Sequence, residues 1–74
     1  MNKKEFLEQL QDLLQRDEPL TSEMKLRDLP EWDSLSMMAI AGFFDTSFKQ
    51  TLDFTDFEGF ITVDDLIQKA GISA

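Results

Sequence analysis

Ser34 is the residue in this sequence best placed to do chemistry. It follows Asp33 at the end of a long polar segment and precedes Leu35-Ser36-Met37-Met38-Ala39-Ile40-Ala41-Gly42-Phe43-Phe44, an uninterrupted helical run, so it opens a helix. A hydroxyl there faces solvent beside the positive end of the helix dipole, a setting that suits a phosphate ester. The plain alternative is that Ser34 or Asp33 simply caps the helix. Other chemistry is scarce. With no histidine and no cysteine, the chain has no Ser-His-Asp or Cys-His nucleophile system, no zinc finger, no haem or iron–sulfur ligation and no disulfide framework. Its carboxylates fall on expected polar faces and loops, where nothing raises a pKa for acid–base work, so the chain is not expected to be an enzyme.

The 15 acids outnumber the 7 bases for a net charge of −8, which repels phosphate backbones and anionic lipid alike. Basic protein surfaces are the expected partners, with no nucleic acid and no membrane. Hydrophobic residues make up 42% of the chain and seven are Phe, too apolar for a disordered acidic tail. A length of 74 allows a single domain over 1–74, with a core near the lower limit of independent stability. The longest uncharged run, Ser34 to Phe44, falls short of a membrane span, and Met1-Asn2-Lys3-Lys4-Glu5 leads into an amphipathic helix instead of a signal-peptide apolar run. A soluble, cytoplasmic protein is expected.

The elements that must position Ser34 can be read from periodicity. Asn2 with Glu5 forms a capping box, and Phe6, Leu7, Leu10, Leu13 and Leu14 make the apolar stripe of a first helix that ends before Pro19. Residues 17–33 then form a long loop whose Leu20, Met24, Leu26, Leu29 and Trp32 pin it to the core. The second helix is expected from about Ser34 to Phe44 or a little beyond. It is apolar nearly all round, so in so short a chain it must expose a binding surface. An irregular stretch over Ser47 to Asp53 leads to a short third helix over Thr55 to Phe60, which turns Phe57 and Phe60 inward. Thr62-Val63-Asp64-Asp65 caps a last helix with the stripe Val63, Leu66, Ile67 and Ala70, stopped by Gly71 in the left-handed position. The fold class expected is all-α, a small four-helix bundle with a long loop between helices 1 and 2 and a short third helix.

The string Leu29-Pro30-Glu31-Trp32-Asp33-Ser34-Leu35-Ser36-Met37-Met38 resembles the attachment site of acyl carrier proteins, in particular the stand-alone carriers in which a Glu-Trp pair precedes Asp-Ser-Leu. The similarity spans nearly the whole chain, through Phe48, Leu52 and the Thr62-Val63 that opens the last helix. It implies that Ser34 Oγ receives a 4′-phosphopantetheine arm from coenzyme A through a Mg²⁺-dependent phosphopantetheinyl transferase, with Asp33 placing the serine and engaging the transferase's metal. The arm's thiol would hold acyl or aminoacyl groups as thioesters, handed from a loading enzyme to a downstream transferase or synthase. The resemblance thus implies a carrier in fatty acid, polyketide or another dedicated biosynthetic pathway, monomeric by default because a shuttle must dock on several enzymes.

Two departures stand out. Trp32 and Glu31 occupy a stretch where fatty-acid carriers usually have Gly, and no acid lies between Ser34 and Phe44, where such carriers are acidic. Helix two would offer Leu35, Met38, Ala39 and Gly42 as an apolar docking face with Asp45 at its edge, and Trp32 beside the site either contacts the arm or a partner or packs on helix one or two. The positions matching the family's acyl cavity are Ala41, Phe44, Leu52, Phe57, Phe60 and Val63. Their three aromatic residues suggest a filled interior and a small or polar cargo. Most of the Phe cluster (Phe43, Phe44, Phe48, Phe54, Phe57, Phe60) is expected in the core.

Two readings come from other classes. Setting Gly59 at the sixth position of a calcium loop puts Asp56, Glu58, the Phe60 carbonyl, Thr62 and Asp65 at ligand positions, but the first position is Phe54, which cannot ligate, and the last is the short Asp65. Alternatively the chain is a helical interaction module without a prosthetic group, in which Ser34 is only a cap.

Overall fold

A computed structural model describes residues 1–72. Residues 73 and 74, the end of the domain expected over 1–74, lie outside the described residues. The described part is all-helical, with α1 (Lys3–Leu13), α2 (Ser34–Phe48), α3 (Phe54–Gly59) and α4 (Val63–Lys69), and a single 3₁₀ turn, Leu26–Asp28, in the loop between α1 and α2. Its radius of gyration is 11.0 Å. Among these residues no helix is long and apolar enough to cross a membrane.

Local chemistry sets most helix ends. At α1 the Asn2 side chain accepts from the Glu5 N–H at 2.8 Å while the Glu5 carboxylate accepts from the Asn2 N–H at 3.2 Å. The far end, Leu13, lies six residues before Pro19. Gln15 takes a left-handed φ of 55°, its N–H bonds the Asp12 carbonyl, and the Arg16 N–H reaches back to the Gln11 carbonyl, which is the Schellman pattern without its usual glycine. The same pattern closes α4 with Gly71 at φ 78°, where the Ile72 N–H bonds the Ile67 carbonyl. The start of α4 is held by Asp65, whose Oδ2 accepts from the N–H groups of Ile61 (2.7 Å) and Thr62 (3.0 Å).

The core is built from Phe6, Leu10 and Leu14 of α1 and its end, Ile40 and Phe44 of α2, and Val63, Leu66 and Ile67 of α4, with Leu20, Leu26, Leu29 and Leu52 from the connections. The long loop is pinned as expected. An isolated antiparallel bridge joins Lys25 to Thr62, the Leu26 N–H bonds the Ile61 carbonyl, and the Val63 N–H bonds the Met24 carbonyl. These bonds satisfy loop backbone that would otherwise be buried unpaired.

Three expectations need correcting. Helix α2 runs to Phe48, into the stretch expected to be irregular from Ser47, because Phe48 packs on Phe44 (5.2 Å between ring centroids), Phe43 (5.5 Å) and Phe6 (6.1 Å). Ser47 and Phe48 are therefore helical, and Lys49 ends the helix in the left-handed region at φ 54°. Helix α3 begins at Phe54, capped by Asp53, and the one-residue shift turns Phe54 out to 74% exposure while Phe57 and Phe60 are only half-buried. The Phe cluster is thus split. Phe6, Phe43, Phe44 and Phe48 form one aromatic group, and Trp32, Phe57 and Phe60 a second.

Candidate functional site

Asp33, not Ser34, caps α2. Its Oδ1 accepts from the Ser36 N–H at 2.9 Å, and Ser36 Oγ in return accepts from the Asp33 N–H and donates to the Asp33 carbonyl, both at 2.9 Å. Ser36 is buried to do this, and its cap role is not legible in the sequence because a serine stands at the N3 position where a capping box usually has Glu or Gln. Ser34 is left as the first residue of the helix, exposed, with its hydroxyl in no hydrogen bond among the described residues. The N–H groups of Ser34 and Leu35 lie in the first turn, where no intrahelical carbonyl is available to them. A phosphate ester on Ser34 Oγ would meet those donors and the positive helix end.

Beside Ser34 an apolar groove of about 270 Å³ runs between α2 and α3. Met37, Met38 and Ala41 form its α2 wall, Phe54 and Phe57 its α3 wall, and Leu52 and Asp53 complete it. Of the six expected cavity residues, Ala41, Leu52 and Phe57 line this groove. Phe44 and Val63 are instead sealed in the core with no exposed surface, and Phe60 packs edge-on against Phe57 with ring centroids 5.6 Å apart. The expected set is therefore not one cavity. An open apolar groove lies beside the core, where none was expected. Met37 and Phe54 were not anticipated. Asp53 carried the signal for Phe54, since an aspartate three residues before Asp56 marks a helix start one position earlier.

The docking residues expected on α2 do share a face. Leu35 and Met38 are 76% and 71% exposed, and Ala39, Gly42 and Asp45 are exposed along the same stripe. Phe54 extends this apolar surface across the groove onto α3. Trp32 is partly buried and packs against the hydrophobic core. Its ring lies 6.1 Å from that of Phe57, so it braces the loop against α3.

The surrounding acids are mostly engaged in helix starts. Asp53 Oδ1 accepts from the Asp56 N–H and Asp56 Oδ2 from the Asp53 N–H, both at 3.0 Å. The Asp53 N–H, with help from Lys69 nearby, holds the Asp56 carboxyl below its ordinary value. The N–H groups of Thr62 and Ile61 do the same for Asp65. These bonds bear on the calcium-loop reading. Its first six positions, 54–59, are helix α3 instead of an irregular loop, and the Asp56 and Asp65 carboxylates are spent on backbone N–H groups. Among the described residues no group of three or more acids is arranged to hold a metal ion.

No protein-family model, no curated protein and no solved structure matches this chain.

Proposed function

We propose that the chain is an acyl carrier protein that bears a 4′-phosphopantetheine arm on Ser34 Oγ. The observation that carries this reading is the division of labour at the start of α2, where Asp33 and Ser36 do the capping and the Ser34 hydroxyl is left exposed and free. A serine with no structural duty at a helix N-terminus, opening onto an apolar groove, is arranged to accept a phosphate ester. The resemblance of Glu31-Trp32-Asp33-Ser34-Leu35 to carrier attachment sites agrees with it.

The residues fit the group. Ser34 offers the attachment oxygen, the first-turn N–H groups of α2 face the esterified phosphate, and Met38, Phe54 and Phe57 give apolar cover to whatever extends from it. When attached, the arm supplies a thiol that holds acyl or aminoacyl groups as thioesters, chemistry the cysteine-free chain lacks. Leu35, Met38 and Phe54 form the docking surface for the transferase, the loading enzyme and the downstream transferase or synthase, while Asp33, Asp45 and Asp53 at its margin attract basic partners. This division, apolar contact with acidic steering, fits a dedicated pathway better than general fatty-acid synthesis. The carrier works as a cytoplasmic monomer.

The same exposed patch favours a second reading, an interaction module without a prosthetic group. Incubation with coenzyme A and a broad-specificity phosphopantetheinyl transferase, followed by mass spectrometry, separates the two. The carrier gains the mass of one phosphopantetheine, and Ser34→Ala gains none; an unmodified wild-type chain would leave the bare module standing.

A further inference from the structure

Three consecutive residues ahead of Ser34 are each tied to a different helix. Glu31 accepts a hydrogen bond from Arg16 Nη1 at 3.0 Å, just past the end of α1. Trp32 lies on Phe57 of α3, and Asp33 is locked to Ser36 of α2. Arg16 is itself held. The left-handed Gln15 fixes the chain direction, and the Gln11 side-chain amide donates to the carbonyls of Arg16 and Asp17 at 3.1 and 3.2 Å.

The Arg16 side chain is only 13% exposed, and its Nε is buried without an acceptor among the described residues. A cation so far removed from water costs stability unless a carboxylate compensates it closely. Glu31, itself partly buried, does so at hydrogen-bonding distance, whereas the exposed Glu18 stands 3.8 Å away. Neither side chain of the Arg16–Glu31 pair lines the groove beside Ser34. Glu31 instead lines a neighbouring cleft with Asp33, Leu35 and Ser36, and its bond to Arg16 ties the loop ahead of Ser34 to the end of α1.

We propose that Arg16 and Glu31 are positioning residues for Ser34, fixing the Glu31-Trp32-Asp33 run so that the hydroxyl is presented to the modifying enzyme in one geometry. The inference rests on the carrier reading of Ser34. Breaking the pair releases one of three anchors, lets Trp32 leave Phe57, and lowers the fraction of molecules with Ser34 in the competent position. Because docking restores that geometry, the loss falls on the apparent affinity of the carrier for its transferase and leaves turnover at saturation unchanged. One charge-assisted hydrogen bond between partly buried groups supports a shift of up to about tenfold.

The test uses the full chain, with Glu31→Gln as a variant of equal size and Arg16→Lys as one that keeps the charge. Trp32 is the only tryptophan, so its emission reports this loop alone. Glu31→Gln is expected to keep the far-ultraviolet dichroism of the wild type, shift Trp32 emission to the red, and raise the KM of the carrier as transferase substrate by roughly five- to tenfold at unchanged kcat. Arg16→Lys should fall between the two. A Glu31→Gln chain whose KM stays within about twofold of the wild type, or whose loss lies in kcat alone, overturns the proposal. A wild-type chain that accepts no phosphopantetheine overturns the carrier reading instead, which separates the two failures.

Discussion

Replacing Ser34 with alanine should leave the stability of the fold nearly unchanged, while replacing Asp33 with alanine should lower it. Asp33 Oδ1 satisfies the Ser36 N–H, and Ser36 is buried, so little water can take over that bond. Loss of an N-cap of this kind costs about 1 kcal/mol, within a range of roughly 0.5–2. Removing a negative charge from the helix N-terminus adds about 0.3–1 kcal/mol. Together these give about 1.5–2 kcal/mol for Asp33→Ala, which in a domain of this size lowers Tm by roughly 6–16 °C. Asp33→Asn keeps the acceptor and loses only the charge, so its cost is about 0.5 kcal/mol. Ser34→Ala removes a hydroxyl without a partner at an exposed position and should change stability by less than about 0.5 kcal/mol. Thermal melts followed by circular dichroism, with urea titrations to check that the m-value is unchanged, measure all three. A Ser34→Ala chain destabilised as much as Asp33→Ala would refute the reasoning, because the hydroxyl would then have a structural duty.

Two further outcomes are expected. Phe44→Ala should cost about 3–5 kcal/mol, much of the roughly 4–11 kcal/mol available to a domain of 74 residues, since Phe44 is fully buried against Phe6 and Phe48; Met38→Ala, one and a half turns earlier and exposed, should cost less than about 0.5 kcal/mol, and equal losses in urea unfolding would contradict the burial pattern. Asp65 has its carboxyl held below 3.8 by the N–H groups of Thr62 and Ile61, so it stabilises the fold above the unfolded-state value and loses that contribution as pH falls through the lower folded one. The stability gap between wild type and Asp65→Asn should therefore close below pH 3.8, and a gap that persists to full protonation would count against it.

What was legible in the sequence was written in short-range chemistry. Asn2 with Glu5, Asp33 at the head of an apolar run, Asp65 three residues after Thr62, and Gly71 each act within a few residues, and each fixes a helix end where expected. What was missed depends on partners far along the chain. The last turn of α2 forms because Phe48 finds Phe6, and Asp45-Thr46-Ser47 alone gives no hint of it. Trp32 finds Phe57 and Arg16 finds Glu31, contacts that no local pattern encodes. For the site, the hydroxyl and the exposed apolar face of α2 beside it could be read from spacing, but the groove could not. It exists because α3 starts one residue early and swings Phe54 to its rim.

The acids that begin the helices have a further consequence. Glu5, Asp33, Asp53, Asp56 and Asp65 each accept backbone N–H groups at a helix start. Five of the fifteen acids are thus architectural, and at those positions surface charge and folding cannot be varied independently. An engineer wishing to raise its isoelectric point from about 4.2 would have to begin at exposed acids such as Glu8, Asp12, Asp17 and Glu58. Changes at the helix starts that also remove the accepting oxygen would weaken the scaffold along with altering the company the protein keeps.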